Sequence, residues 1–117
     1  MEIREIQKTQ LEFDKEYFKK FWDIKNEKIF IDRLQYIVVA LVGEIGEYAN
    51  IVKKISRDYE NLNRNNFHQK REELVEELVD CFIYLIIAAN LLNIDLEKEF
   101  LKKLEKNKKR FEKYRDA

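Results

Sequence analysis

Proline is absent from these 117 residues, and glycine occurs only at Gly43 and Gly46. A chain with so few breakers and turn-formers reads as helical with few connections, which sets aside β-rich and loop-built folds. One cysteine, Cys81, excludes an internal disulfide and gives no sign of an oxidising compartment. One histidine, His68, cannot supply a transition-metal site. Neither sign of charge is in excess: 23 Lys and Arg balance 23 Asp and Glu, so no global basic field recruits nucleic acid. Long apolar runs are missing too. The longest, Cys81 to Ala89, is too short to span a bilayer, and the opening Met1-Glu-Ile-Arg-Glu-Ile lacks the apolar core of a signal peptide. A cytoplasmic protein with neither membrane nor nucleic-acid partners is the expectation.

What remains is 45% hydrophobic and 39% charged, enough apolar material for one domain, residues 1–117, with a heavily charged surface. Hydrophobic periodicity predicts four helices. The first runs from about Ile3 to Phe21 with Ile3, Ile6, Phe13, Tyr17 and Phe21 on one stripe. Trp22 to Lys28 then breaks the period, with Asp23 and Asn26 as possible caps. The second runs from about Ile29 to Arg57, carrying Leu34, Ile37, Leu41, Glu44, Tyr48, Ile51 and Ile55. The polar stretch Asp58 to Gln69 reads as a loop. The third runs from about Lys70 to Leu92, and its stripe of Glu73, Glu77, Asp80, Tyr84, Ile87 and Leu91 is acidic at one end and apolar at the other. Leu78 to Leu92 is apolar almost all round, so more than one face should be covered, which in so small a domain points to a partner subunit. Asn93 and Asp95 offer a turn and a cap before the fourth helix, Leu96 to Tyr114, with Phe100, Leu104, Asn107, Phe111 and Tyr114 aligned. The expected fold is an all-α, oligomeric four-helix bundle.

Two acid pairs stand out. Glu44 and Glu47 lie in Ala40-Leu-Val-Gly-Glu-Ile-Gly-Glu47, and Glu77 and Asp80 lie in Glu73-Leu-Val-Glu-Glu-Leu-Val-Asp80. Each pair is spaced i,i+3, which puts both side chains on one face about a turn apart. Glu44 occupies a stripe position where leucine would serve a plain core. Four acids facing one another repel unless a cation lies between them, and hard oxygen donors suit Mg²⁺ or Mn²⁺. A solvated acidic face is the plainer alternative, and for Glu73 and Glu76 a charged first helical turn is at least as good an account.

Other polar residues carry weaker signals. Asn107 interrupts the last stripe, either to orient a ligand or as a polar register device. Lys102, Lys103, Lys106, Lys108, Lys109 and Arg110 would suit a polyphosphate, although most of them read as a solvated face; Arg110 and the lysines beside Asn107 are the best candidates. Lys53 and Lys54 lie two turns beyond Glu47, within conceivable reach of phosphate oxygens. Trp22 and Tyr84 fit either core packing or base stacking. No Glu-x-x-His occurs, which counts against a di-iron bundle, and no Walker loop, nucleophile elbow or Cys-x-x-Cys is present.

Glu-x-x-Glu, an intervening helix–loop–helix gap and Glu-x-x-Asp together resemble the signature of the all-α nucleoside triphosphate pyrophosphohydrolases. With their flanks, Ala40–Glu47 and Glu77-Leu-Val-Asp-Cys-Phe-Ile-Tyr-Leu85 look like the MazG-like branch, and closely like its dCTP pyrophosphatases. Asn93-Ile-Asp-Leu96 and Lys103-Leu-Glu-Lys-Asn-Lys-Lys-Arg-Phe111 resemble that branch's final turn and helix. The resemblance implies a Mg²⁺-dependent hydrolase that converts a nucleoside triphosphate, dCTP or a related pyrimidine nucleotide, to the monophosphate and pyrophosphate. It implies Glu44, Glu47, Glu77 and Asp80 as metal-holding catalytic acids. It also implies Asn107, Lys108 and Arg110 as a substrate-associated region, Tyr84 and Trp22 near the nucleobase, and a dimer or dimer of dimers with the site near a subunit interface. The chain departs from that branch at Lys54, where an aromatic is usual, and at Asp32 and Leu34, where histidine and proline tend to occur. A non-catalytic helical oligomer and a nucleotide-binding sensor are the competing readings.

Overall fold

The computed structural model describes residues 1–116; Ala117, the last residue of the expected domain, lies outside the described residues. Among the described residues the fold is all-helical, but five α-helices replace the four expected: α1 (Ile3–Tyr17), α2 (Lys19–Trp22), α3 (Glu27–Leu62), α4 (Phe67–Leu91) and α5 (Leu96–Arg110). A 3-10 turn at Glu112–Tyr114 follows. The extra element comes from a break in the expected first helix. Phe18 leaves helical geometry at φ −131°, ψ 52°, and α2 swings away as a single turn. Arg33 of α3 holds that turn in place. Its Nε donates to the Phe21 carbonyl at 2.6 Å and a terminal nitrogen donates to Lys20 at 3.1 Å, satisfying carbonyls that a short helix leaves open.

Helix boundaries follow local chemistry. Asn26 caps α3 by accepting from the Ile29 N–H at 2.9 Å, and Asp95 caps α5 by accepting from Lys98 at 3.2 Å. α3 runs five residues beyond the expected Arg57, through Asp58 to Leu62, and stops where Asn63 adopts the left-handed conformation at φ 52°. The Asn66 side chain donates to Asp58 at 2.8 Å and closes the short link to α4, which begins at Phe67 rather than Lys70. Asn93, also left-handed at φ 54°, makes the turn before α5, which departs at 97° to α4.

The core sits where α2, α3 and α4 meet. Ile37, Ile87 and Leu91 form its buried centre, with Phe21, Trp22, Leu34 and Tyr84 packed against it. Every position of the expected α3 stripe, from Leu34 to Ile55, is buried or half-buried, whereas Val38, Val39, Val42 and Ile45 on the other side are exposed. α4 likewise buries Leu74, Cys81, Ile86, Ile87, Ala89 and Leu91 but leaves Leu78, Val79, Phe82 and Leu85 uncovered. α1 departs from its expected stripe: Phe13 and Tyr17 are exposed, and Gln7 and Asp14 face inward. Gln7 joins three helices. Its side chain donates to Asn90 at 3.1 Å and to the Ile94 carbonyl at 2.8 Å and accepts from the Leu96 N–H at 3.0 Å, while Asn90 donates back to the Gln7 carbonyl at 3.0 Å.

α5 buries no residue, and Phe100, Leu104, Phe111 and Tyr114 of its stripe are exposed. The single chain is therefore not a closed four-helix bundle. Its radius of gyration is 18.6 Å, against about 13 Å for a compact domain of this length. No single helix among the described residues is long and apolar enough to cross a membrane.

Candidate functional site: an acid cluster beside an aromatic pocket

α3 and α4 lie against each other over much of their length, which brings the two i,i+3 acid pairs face to face. Glu44, Glu77 and Asp80 each place a carboxylate oxygen within 4.8 Å of the others, all three half-buried. Glu47, a turn beyond Glu44, is exposed at the rim and still close enough to act on Glu77. The consequence is a strong perturbation. The Glu44 carboxyl close beside it, then partial burial, then the nearby Glu47 carboxyl and the charges of both push Glu77 from its ordinary 4.5 up to about 7. A proton held on Glu77 eases the repulsion. Even so, Glu44 Oε2 and Glu77 Oε2 are buried without any hydrogen-bond partner. Unpaired buried carboxylate oxygens are costly, and these two, converging from two helices with Asp80 beside them, form an oxygen donor set that fits a hard divalent cation.

Beside the acids lies an aromatic pocket of about 180 Å³, walled by Phe18, Phe21, Trp22, Tyr36 and Tyr84, with Asp14 at its edge. Its rings are mutually packed: Phe21 meets Trp22 at 5.5 Å and Tyr36 at 5.8 Å between centroids. A second hollow of about 390 Å³, lined by Gln10, Phe13, Asp14, Glu44, Asp80 and Tyr84 among others, runs from this pocket to the acids. A flat ring and a polyanion joined by a short linker match this pairing of surfaces. Burial, and secondarily the negative charge of Glu44, raise Tyr84 above its ordinary 10, so its hydroxyl keeps its proton at neutral pH. Burial also raises Cys81, a thiol enclosed in α4.

Asp14 is the residue that periodicity missed. It is 4% exposed, and burial raises its pKa against the opposing effects of Gln10 and of the nearby Trp22 indole. Gln10 Nε2 donates to Asp14 Oδ1 at 2.9 Å. The Trp22 N–H, though near, does not form a hydrogen bond of good geometry, and both Asp14 Oδ2 and Trp22 Nε1 are buried without partners. The available signal was spacing: Ile3, Gln7, Gln10 and Asp14 follow one another at i, i+4, i+7 and i+11, a single helical face that mixes polar and apolar residues.

The remaining expected residues lie elsewhere. Lys54 is exposed on α3, seven residues past Glu47, about 10 Å farther along the axis. Asn107, Lys108 and Arg110 sit on the last turns of α5, which packs mainly on α1. Lys108 pairs with Glu105 at 3.0 Å and lines a separate hollow with Phe111, Glu112 and Arg115, and Arg110 stacks on Phe111 at 4.9 Å. Within one chain none of these residues lines the pocket or the groove to the acids.

The model of the MazG nucleotide pyrophosphohydrolase domain matches residues 33–114, which takes in both acid pairs and all of α4 and α5. The chain belongs to the MazG family. The Gene 37 protein of Mycobacterium phage L5 is 39% identical over 83 residues, 68% of this chain and 70% of the phage protein. The dCTP pyrophosphatase 1 proteins of Rattus norvegicus and Homo sapiens are each 35% identical over 75 residues, 64% of this chain. The matched segment spans 44% of the length of those mammalian proteins. No solved structure matches significantly. The MazG-like resemblance carried by the acid motifs and their flanks, including its dCTP pyrophosphatase-like character, therefore holds. As a MazG domain the chain is a nucleotide pyrophosphohydrolase, a hydrolase of phosphoric anhydride bonds.

Proposed function

We propose that this MazG domain hydrolyses a deoxynucleoside triphosphate, dCTP or a related pyrimidine nucleotide, to the monophosphate and pyrophosphate. The observation that carries the reading is the juxtaposition of unpaired, converging carboxylates with an aromatic pocket along one groove. Glu44, Glu77 and Asp80, with Glu47 at the rim, are the residues that would hold Mg²⁺ or Mn²⁺. When bound, such an ion neutralises charge on the phosphate oxygens and makes water more acidic. The chain's own groups do the rest. The aromatic pocket, with Trp22 and Tyr84, fixes the base and so fixes where the α-phosphorus lies along the groove. Glu47, exposed and carboxylate-rich on its Glu77 side, takes the proton from the attacking water. The new P–O bond forms at the α-phosphorus as the bond to the bridging oxygen breaks, and pyrophosphate leaves with that oxygen.

Among the described residues no lysine or arginine of the same chain lines the groove to serve the leaving group. Self-association, as a dimer or a dimer of dimers, supplies a route: the uncovered faces of α3 and α4 and the bare stripe of α5 are apolar surfaces that a second copy would cover, bringing Asn107, Lys108 and Arg110 to a neighbour's site. The same faces favour a second reading, a purely structural helical oligomer. Pyrophosphate release from ribo- and deoxynucleoside triphosphates, with Mg²⁺ or with EDTA, separates the two. The enzyme releases pyrophosphate only with the ion, and Glu44→Ala lowers kcat/KM by at least about a hundredfold. Equal activity in Glu44→Ala, or no release from any nucleotide, defeats the assignment.

A further inference from the structure

Asp14 has no role in the hydrolysis described above, yet its burial is costly. A carboxylate that is 4% exposed, with one oxygen held by Gln10 and the other unpartnered, is retained at a price in stability unless something completes it. Its neighbour shows the complementary lack. The Trp22 indole N–H, a donor with no acceptor function, is also buried and unpartnered at the same aromatic pocket. An acceptor and a donor thus lie side by side in the wall of the pocket, close to each other and closed to solvent, among aromatic rings of the kind that stack on a flat heterocycle; a base that reads them must part them. Asp14 also lines the groove that leads to Glu44 and Asp80, so a nucleotide whose phosphates meet the acids has its base beside it.

We propose that Asp14, together with Trp22, reads the base: the carboxylate accepts from an exocyclic amine and the indole N–H donates to the adjacent unprotonated ring nitrogen. On the Watson–Crick edge that pair belongs to cytosine and adenine, guanine setting a protonated N1 beside its amine there. Uracil and thymine in the same place set a carbonyl oxygen against the carboxylate. Turned to offer N3–H instead, they bring two flanking carbonyls toward it. The inference rests on the reading that a nucleotide occupies this groove, and deepens it by making Asp14 the specificity-determining residue.

Trp22 is the chain's one tryptophan, so its fluorescence reports occupancy of this pocket directly. The full chain with Mg²⁺ is titrated with non-hydrolysable α,β-imido analogues of dCTP, dATP, dUTP and dTTP. Wild type should bind the amino-bearing analogues at least about tenfold tighter than the other pair, and the dCTP and dATP arms show which ring the pocket takes. Asp14→Asn, close in shape, should erase or invert that preference, because its amide N–H donates to a carbonyl. An unchanged preference in a folded Asp14→Asn, or no preference in wild type, overturns the proposal. Should Asp14→Asn fail to melt cooperatively, wild type is titrated with the pyrimidin-2-one nucleotide, which lacks the amine: a tenfold loss supports the proposal and equal affinity overturns it. Pyrophosphate release from the parent triphosphates is the separate readout. Discrimination in binding without release defeats the enzymatic reading and leaves Asp14 standing, whereas release at equal kcat/KM from all four, with flat binding, does the reverse.

Discussion

Helices α4 and α5 are neighbours in sequence with opposite fates. Each carries an apolar stripe, yet α4 buries Leu74, Cys81, Ile86, Ile87, Ala89 and Leu91, while α5 buries nothing. The difference lies in what faces them. α4 lies along α3, and the two share both the core and the acid cluster. α5 leaves at 97° and meets chiefly α1. An apolar stripe states that a surface is to be covered; it does not state by which chain. The candidate site residues divide along the same line, with the acids and the aromatic pocket brought together within one chain and Asn107, Lys108 and Arg110 left outside.

The largest effect that separates these helices is in packing. Ile87→Ala opens the centre of the core and should cost about 2–5 kcal/mol at any protein concentration. Phe100→Ala, on a side chain exposed in the single chain, should cost under about 0.5 kcal/mol in a dilute monomer, and should lower Tm only at concentrations where the wild type self-associates. Thermal melts across a concentration series check both, and a Phe100→Ala loss that ignores concentration would break the comparison.

Next in size is the junction between the helices. Gln7→Ala strips partners from Asn90, the Ile94 carbonyl and the Leu96 N–H together, an expected loss of about 1–3 kcal/mol. Urea unfolding reads it directly; a loss confined to a few tenths would mean that water replaces the side chain.

The smallest and most diagnostic effect is in pH. The folded, metal-free chain holds a proton on Glu77 up to about 7, whereas the ordinary value for the unfolded chain is 4.5. Stability from that proton is full below 4.5 and is lost as pH rises through 7, because over that span the folded state binds more protons than the unfolded. In EDTA the Tm should therefore fall from pH 5 to pH 8. With saturating Mg²⁺ the order should reverse, since ion and proton compete for the same oxygens. A Tm in EDTA that does not change with pH contradicts the close packing of Glu77 against Glu44 and Glu47.

Much of this was legible in the sequence for a definite reason. The α3 stripe from Leu34 to Ile55 obeys a 3.6-residue period because its whole length lies on α4, and Glu44 was conspicuous there because an acid on an apolar stripe must be compensated. The caps at Asn26 and Asp95 and the turn at Asn93 were visible because their chemistry is local. What was hidden is what depends on distant partners. Gln7 and Asp14 lie off the apolar stripe expected for the first helix, and periodicity cannot tell a buried hydrogen-bonding side chain from a hydrated one. The break at Phe18 is held by Arg33, fifteen positions on, and the polar run Asp58–Leu62 stayed helical because nothing in it forbids a helix.

The Gln7 junction has a mechanical consequence. α5 is pinned at its first residue, Leu96, and carries Arg110 fourteen residues on, at the end of an arm about 21 Å long. A rotation of only 10° at the pin displaces the guanidinium by about 4 Å, more than the length of a hydrogen bond. The chain's own fold therefore sets the direction of this lever coarsely, and its aim is set by whatever surface the arm comes to rest on.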